Sequence, residues 1–210
     1  MSAATPTVFL VDDDASVLRS LSRMVVQAGY EARAYSSAEE FLASQAMPLG
    51  HPACLVLDLS MPGLGGLELQ RELSGGPASC PVIFISGNGS IPATVTAMKQ
   101  GAVTFLSKPF DQDDLLEAIA EALEKHRKEL ANGSHLQHIR GCIGRLTERE
   151  REVMAWVITG ALNKQIASQL GIVEKTVKVH RARAMEKMQV VSVAELVWLC
   201  AAAGFAAAKT

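Results

Sequence analysis

The chain has 210 residues, 49% hydrophobic and 20% charged, a length that allows two modest domains, each with a core of its own. No run of about 18 uninterrupted apolar residues occurs, and no basic segment leads into an apolar one at the N-terminus, so neither a membrane span nor an export signal is expected. The formal net charge of −2 hides an asymmetry: residues 1–125 carry 7 basic and 15 acidic side chains, and residues 126–210 carry 13 and 7. A basic half tied to an acidic one points the former toward a polyanion and the latter away from it. Cys54, Cys80, Cys142 and Cys200 are scattered, without a CxxC pair or histidines at zinc-ligand spacing, which fits reduced thiols in the cytoplasm.

Along the first 125 residues, short β-rich apolar runs alternate with amphipathic stretches. The pattern predicts strands over 8–11, 32–35, 54–57, 82–86 and 103–106. Helices are predicted over 15–28, 37–45, 66–73 and 91–99, with another from 112 into the 120s. Crossovers of this length predict an α/β fold, a doubly wound five-stranded parallel sheet covered by helices on both faces. Residues 131–144, with Asn132, Gly133, Ser134, Gly141 and Gly144, break helical periodicity and read as a linker. Further helices are predicted over 147–159, 163–170, 174–188 and 192–203, and the tight turn 170–173 gives a helix-turn-helix. The expected division is 1–125, a linker helix and linker over 126–144, and a small all-α domain over 145–210.

A doubly wound sheet places its ligands beyond the C-terminal ends of its strands. At that edge stand Asp12 and Asp13 after the first strand, Asp58 after the third, Ser86 at the end of the fourth and Lys108 after the fifth. Asp13 and Asp58, with Asp12 holding a metal-bound water, make an oxygen-rich pocket suited to Mg²⁺ or Mn²⁺, with ligand distances of about 2.1 Å. A carboxylate attacks a phosphoryl group only once their mutual repulsion is relieved, and Lys108 adds cationic charge for that purpose. Ser86 can hydrogen-bond the phosphoryl oxygens. Singly, such residues have plainer readings, since Asp14 reads as a helix cap and a Lys-Pro pair is usually a turn. Their coincidence on one sheet edge argues for phosphoryl chemistry.

The segments Val11-Asp12-Asp13-Asp14, Leu57-Asp58-Leu59-Ser60-Met61-Pro62-Gly63 and Phe105-Leu106-Ser107-Lys108-Pro109-Phe110 resemble those of response-regulator receiver domains, from residue 7 to about residue 124. The resemblance implies that Asp58 is the phospho-acceptor, Asp12 and Asp13 the acidic pair, and the Ser60 backbone carbonyl a further metal ligand. It also implies that Ser86 and Phe105 form a switch pair and that Lys108-Pro109 is a cis peptide. In that family the hydroxyl moves toward the phosphate and the ring turns inward behind it, biasing a two-state equilibrium. The implied dimer face includes Val95 and Lys99. Residues 85–92 are similar to the FixJ and StyR subgroup of regulators and depart from it at Asn88 and Ser90, where histidine and aspartate are usual.

Thr147, followed three residues on by Glu150, is a capping box that opens a helix. The runs Asn163-Lys164-Gln165-Ile166-Ala167, Thr176-Val177-Lys178-Val179-His180 and Lys187-Met188 resemble the output domain of LuxR and NarL type regulators, from about Leu146 to Gly204. Under that resemblance helix 174–188 enters the major groove of DNA. Val177, Ala184 and Met188 recur at helical spacing toward the core, leaving Lys175, Lys178, Val179, Ala182 and Arg183 outward. The cations would meet phosphates and guanine edges and Val179 a thymine methyl group, while Asn163, Lys164 and Thr176 position the backbone. Arg181 stands at a place that is apolar in many such domains. Val193, Leu196, Val197 and Leu199 of the last helix serve either dimerisation or core completion.

The expected function is that of a two-component response regulator. A sensor histidine kinase phosphorylates Asp58, the chain forms a homodimer, and binding of promoter DNA controls transcription by RNA polymerase as an activator. No membrane partner is expected, and no catalysis beyond the receiver's own phosphoryl transfer and dephosphorylation. A haloacid-dehalogenase-type phosphatase would carry a second aspartate two residues after its nucleophile, where this chain has Ser60. A small-molecule-responsive LuxR regulator would need an aromatic-rich pocket in the N-terminal half, which has few aromatics.

Overall fold

The computed structural model describes residues 5–44, 50–74, 79–87 and 91–208, so that Gln45, Asn88, Gly89 and Ser90 lie outside the described residues. Two compact units divide the chain, Met1–Leu130 and Ala131–Thr210. In the first, β1 (Thr7–Val11), β2 (Glu31–Tyr35), β3 (Ala53–Asp58), β4 (Val82–Ser86) and β5 (Thr104–Ser107) form one parallel sheet in the order β2-β1-β3-β4-β5. Between the strands run α1 (Ala15–Gln27), α2 (Ala38–Ser44), α3 (Gly66–Leu73) and α4 (Ile91–Lys99), and α5 (Gln112–Gly144) follows β5. Strand order reverses between β1 and β3, which opens a crevice at the C-terminal edge of those two strands.

Side chains alternate across a strand, and here both faces are covered, so β1, β3 and β4 are buried along their whole length. Val8, Leu10, Cys54, Val56, Ile83 and Ile85 turn to one face, against Leu18, Leu21 and Val25 of α1 and Leu115, Ile119 and Leu123 of α5. Phe9, Val11, Leu55, Leu57, Val82 and Phe84 turn to the other, against Phe41 of α2, Leu69 of α3 and Ala97 of α4. Asp14 starts α1 by accepting from the Ser16 N–H at 2.7 Å. At the edge, β2 is exposed or half-buried and carries the Glu31–Arg33 ion pair. Compared with expectation, β3 extends to include Asp58, and β5 begins at Thr104, although the Val103 N–H still donates to the Val82 carbonyl at 2.8 Å.

The second unit holds α6 (Glu148–Val157), α7 (Asn163–Leu170), α8 (Glu174–Lys187) and α9 (Val193–Ala202) around Val153, Met154, Ile166, Val177, Ala184 and Leu196. Gly171 ends α7 in the left-handed region (φ 64°), which a side chain would strain, and so makes the turn into α8. Residues 131–144, expected as a linker that breaks the helix, are instead the continuation of α5. The low helix propensity of Asn132, Gly133 and Ser134 is outweighed by burial of Ile139, Cys142 and Ile143 in the core of this unit. Among the described residues no helix is long and apolar enough to cross a membrane.

Two buried polar contacts give these units a pH dependence. His126 of α5 is 6% exposed, and its Nδ1 accepts from the N–H of Ala53, the first residue of β3, at 2.9 Å. Burial holds its pKa below the ordinary histidine value, against the upward pull of the Ala53 contact and Glu129. Stability from neutral His126 is therefore complete above the unfolded value of about 6.5 and is lost as pH falls toward the depressed folded value. Urea titrations should show the chain losing stability below that pH, and His126→Gln should flatten this dependence.

In the second unit, Glu150 Oε2 closes the capping box by accepting from the Thr147 N–H (2.8 Å) and also accepts from Lys187 Nζ (2.6 Å), tying α6 to the end of α8. The Lys187 hydrogen bond, then the Thr147 N–H, holds the Glu150 carboxyl below its ordinary value. Glu150→Gln should lower stability by about 1 kcal/mol at neutral pH. That difference should shrink once pH falls below the unfolded value of about 4.3 and passes through the lower folded one, as measured by paired denaturation curves.

Candidate functional site

The crevice between β1 and β3 places Asp12, the residue after β1, beside Asp58, the last residue of β3. Both are almost wholly buried, at 1% and 5% exposure. Lys108 Nζ donates to Asp12 Oδ2 at 2.6 Å and to Asp58 Oδ1 at 2.8 Å, so one ammonium bridges two carboxylates. The remaining oxygens are held by backbone, Asp12 Oδ1 by the Asp14 N–H and Asp58 Oδ2 by the Ser60 N–H, each at 2.8 Å. Lys108 reaches the crevice from beyond β5, where its own N–H donates to the Ser86 carbonyl (2.7 Å) and its bond to Pro109 is cis.

Burial alone would lower the Lys108 pKa, but hydrogen bonds to Asp12 and Asp58 outweigh it and hold the ammonium above the ordinary lysine value. For Asp12 the balance is opposite: burial raises its carboxyl despite the contacts from Lys108 and the Asp14 N–H. A buried carboxylate that one ammonium leaves undercompensated has room for further positive charge. The all-oxygen donor set of Asp12, Asp13, Asp58 and the Ser60 carbonyl has the chemistry for a hard ion such as Mg²⁺ or Mn²⁺.

Asp13, however, is exposed, and among the described residues no group of three His, Cys, Asp or Glu side chains is gathered to hold a metal ion. The expected convergence of three carboxylates is here a pair bridged by Lys108. Lys108 pairs with Asp12 and Asp58, while Asp13 is exposed to water. Ser60 is likewise exposed.

Ser86 ends β4 with no solvent exposure, and Phe105 of β5, half-buried, sits beside the cluster that holds Phe84, its partner in the ladder. On α4, Ala97 alone is buried, and Gln70 Nε2 of α3 donates to the Ala97 carbonyl at 3.4 Å. The outer face of this helix leaves Val95, Met98 and Lys99 exposed.

In the second unit, Lys175, Lys178, Val179, Ala182 and Arg183 are exposed on α8, while Val177, Ala184 and Met188 are buried. Thr176 is half-buried, Lys164 exposed, and Lys178 pairs with Glu174 at 3.4 Å on the surface. Asn163, at the start of α7, is half-buried and accepts at Oδ1 from Arg181 Nη1 (3.0 Å). Arg181 thus bridges the two helices of the helix-turn-helix, a role that sequence reasoning missed. The signal available was a cation at a position where apolar residues are usual.

Residues 8–120 match the response regulator receiver domain family, and residues 145–200 match the bacterial regulatory proteins of the luxR family. Nodulation protein W of Bradyrhizobium diazoefficiens is 44% identical over 203 residues, which cover 97% of this chain and 88% of that protein. Transcriptional regulatory protein FixJ of Rhizobium meliloti is 41% identical over 199 residues, 95% of this chain and 97% of that protein. A low-resolution structure of the response regulator StyR, 42% identical, aligns with a TM-score of 0.84 and covers 94% of this chain and 99% of its own. This chain belongs to the two-component response regulators, a non-enzymatic class of transcription regulators that joins a receiver domain to a LuxR-type helix-turn-helix DNA-binding domain.

Proposed function

We propose that Asp58 accepts a phosphoryl group from a sensor histidine kinase, with Mg²⁺ or Mn²⁺ as cofactor. The modification switches homodimerisation and sequence-specific binding to promoter DNA, and the chain acts in the cytoplasm as an activator that works with RNA polymerase. One observation carries the reading: Asp58 is a buried carboxylate held 2.8 Å from an ammonium at the switch point of the sheet. Residues 1–125 serve as the receiver, 126–144 as the connecting segment, now helical, and 145–210 as the DNA-binding domain.

In the transfer, an Asp58 oxygen forms a bond to phosphorus as the bond to the donor nitrogen breaks. Lys108, within reach of that carboxylate, turns its charge to the incoming phosphoryl oxygens. Asp12, Asp13, Asp58 and the Ser60 carbonyl would hold the divalent ion, which when bound would supply the further positive charge that two anionic partners require. Ser86 then donates its hydroxyl to a phosphoryl oxygen, Phe105 turns inward behind it, and the α4 surface bearing Val95 and Lys99 becomes the dimer face.

On DNA, α8 occupies the major groove. Lys175, Lys178 and Arg183 meet phosphates or guanine edges, and Val179 and Ala182 lie against base edges. Asn163, Lys164 and Thr176 fix the phosphate backbone. The net basic charge of the second half supports this assignment.

Incubated with acetyl phosphate and Mg²⁺, the wild-type chain should gain one phosphoryl group by intact mass, and Asp58→Asn should gain none. Lys108→Ala should slow the transfer by about a hundredfold. Phosphorylation that persists undiminished in Asp58→Asn contradicts the assignment. Lys178→Ala should weaken DNA binding across sequences and reduce the slope of log affinity against log salt by about 1, measured by fluorescence anisotropy.

A further inference from the structure

The loop between β3 and α3 is gripped from outside at one point that the phosphoryl chemistry does not use. The Leu64 N–H donates to Oε1 of Glu39, an exposed residue of α2, at 2.8 Å. A Cβ at position 63 would stand 2.6 Å from that same oxygen, and Gly63 also takes a φ of +76°. Glycine there serves both the turn and the space that the carboxylate fills. The Leu64 N–H is the main reason that the Glu39 carboxyl stays below its ordinary value, ionised and in place as an acceptor.

At its other end the loop is held by Asp58, whose Oδ2 accepts from the Ser60 N–H at 2.8 Å. Among the described residues no other side chain from outside the loop hydrogen-bonds its backbone between Ser60 and Leu64. The Ser60 carbonyl lies between these two holds, on a loop whose Leu59, Met61 and Leu64 side chains also pack against the core. An exposed hydrogen bond adds little to global stability, and what this one controls is where a short segment points.

We propose that Glu39 is a positioning residue for phosphoryl transfer: by holding Leu64 it sets the Ser60 carbonyl and the Asp58 carboxylate in register toward a shared divalent ion. The inference rests on the reading of Asp58 as phospho-acceptor.

The test uses the full chain with acetyl phosphate as donor and Mg²⁺ as the titrated ion. Three readouts are followed: the initial rate of Asp58 labelling, Mg²⁺ binding by calorimetry, and hydrogen exchange at the Leu64 amide. Glu39→Ala should speed exchange at Leu64 and raise the Mg²⁺ concentration for half-maximal binding and labelling about three- to tenfold, with the thermal unfolding midpoint unchanged. Glu39→Gln retains an acceptor oxygen and should stay near wild type. Wild-type Mg²⁺ dependence in Glu39→Ala overturns the proposal, and so does an equal loss in both variants, which would assign the effect to charge. A wild-type chain that takes no phosphoryl group at Asp58 overturns the reading of Asp58 itself, and this inference with it.

Discussion

The receiver half depends on one arrangement of charge: the Lys108 ammonium between the buried carboxylates of Asp12 and Asp58. Those partners lie 96 and 50 residues from Lys108 in sequence, and the strand order β2-β1-β3-β4-β5 is what brings them together. Two carboxylates with almost no exposure repel each other and lose their hydration, a cost that neither sheet hydrogen bonds nor apolar packing can offset. The lysine makes that pair tolerable. Every strand-end residue at this crevice is therefore constrained by electrostatics as well as by packing.

The same lysine links the pocket to the strands beyond it. Its N–H donates to the carbonyl of Ser86, and Phe105 lies three residues before it on β5. On the proposed mechanism, a phosphoryl group at Asp58 competes for the Lys108 charge, and the change is delivered to β4 through the hydrogen bond to the Ser86 carbonyl and to β5 along the chain. The outer face of α4 is suited to respond, since it leaves Val95, Met98 and Lys99 exposed. A response of this kind requires only a modest energy difference between two packings of the same elements.

Much of this was legible in the chain itself, for reasons that differ by element. The buried strands read clearly because covering both faces leaves uninterrupted apolar runs such as 54–57 and 82–85. Asp12, Asp58 and Lys108 were legible because a parallel sheet puts all its strand ends on one rim, and the Thr147–Glu150 box because a cap is local. The continuation of α5 through Asn132 and Gly133 was not, since its stability comes from Ile139 and Cys142 packing against residues far along the chain. Pairings such as Arg181 with Asn163, His126 with Ala53 and Glu39 with Leu64 also join distant positions, which local periodicity does not encode. The exposed position of Asp13 escaped notice because sequence adjacency to Asp12 says nothing about which of two like charges the ammonium will hold.

In the helical half, the proposed recognition residues stand on α8, and that helix is tied by Glu150–Lys187 at one end and Asn163–Arg181 nearer its middle. Both are polar ties laid over an apolar core, a combination that fixes orientation beyond what packing alone specifies. For the molecule as a whole, the direct measurement is a high-resolution crystal structure of the full chain, unphosphorylated and free of divalent ions. The account predicts Lys108 Nζ within hydrogen-bond distance of both Asp12 and Asp58. A lysine turned to solvent, with the two carboxylates apart, would contradict it.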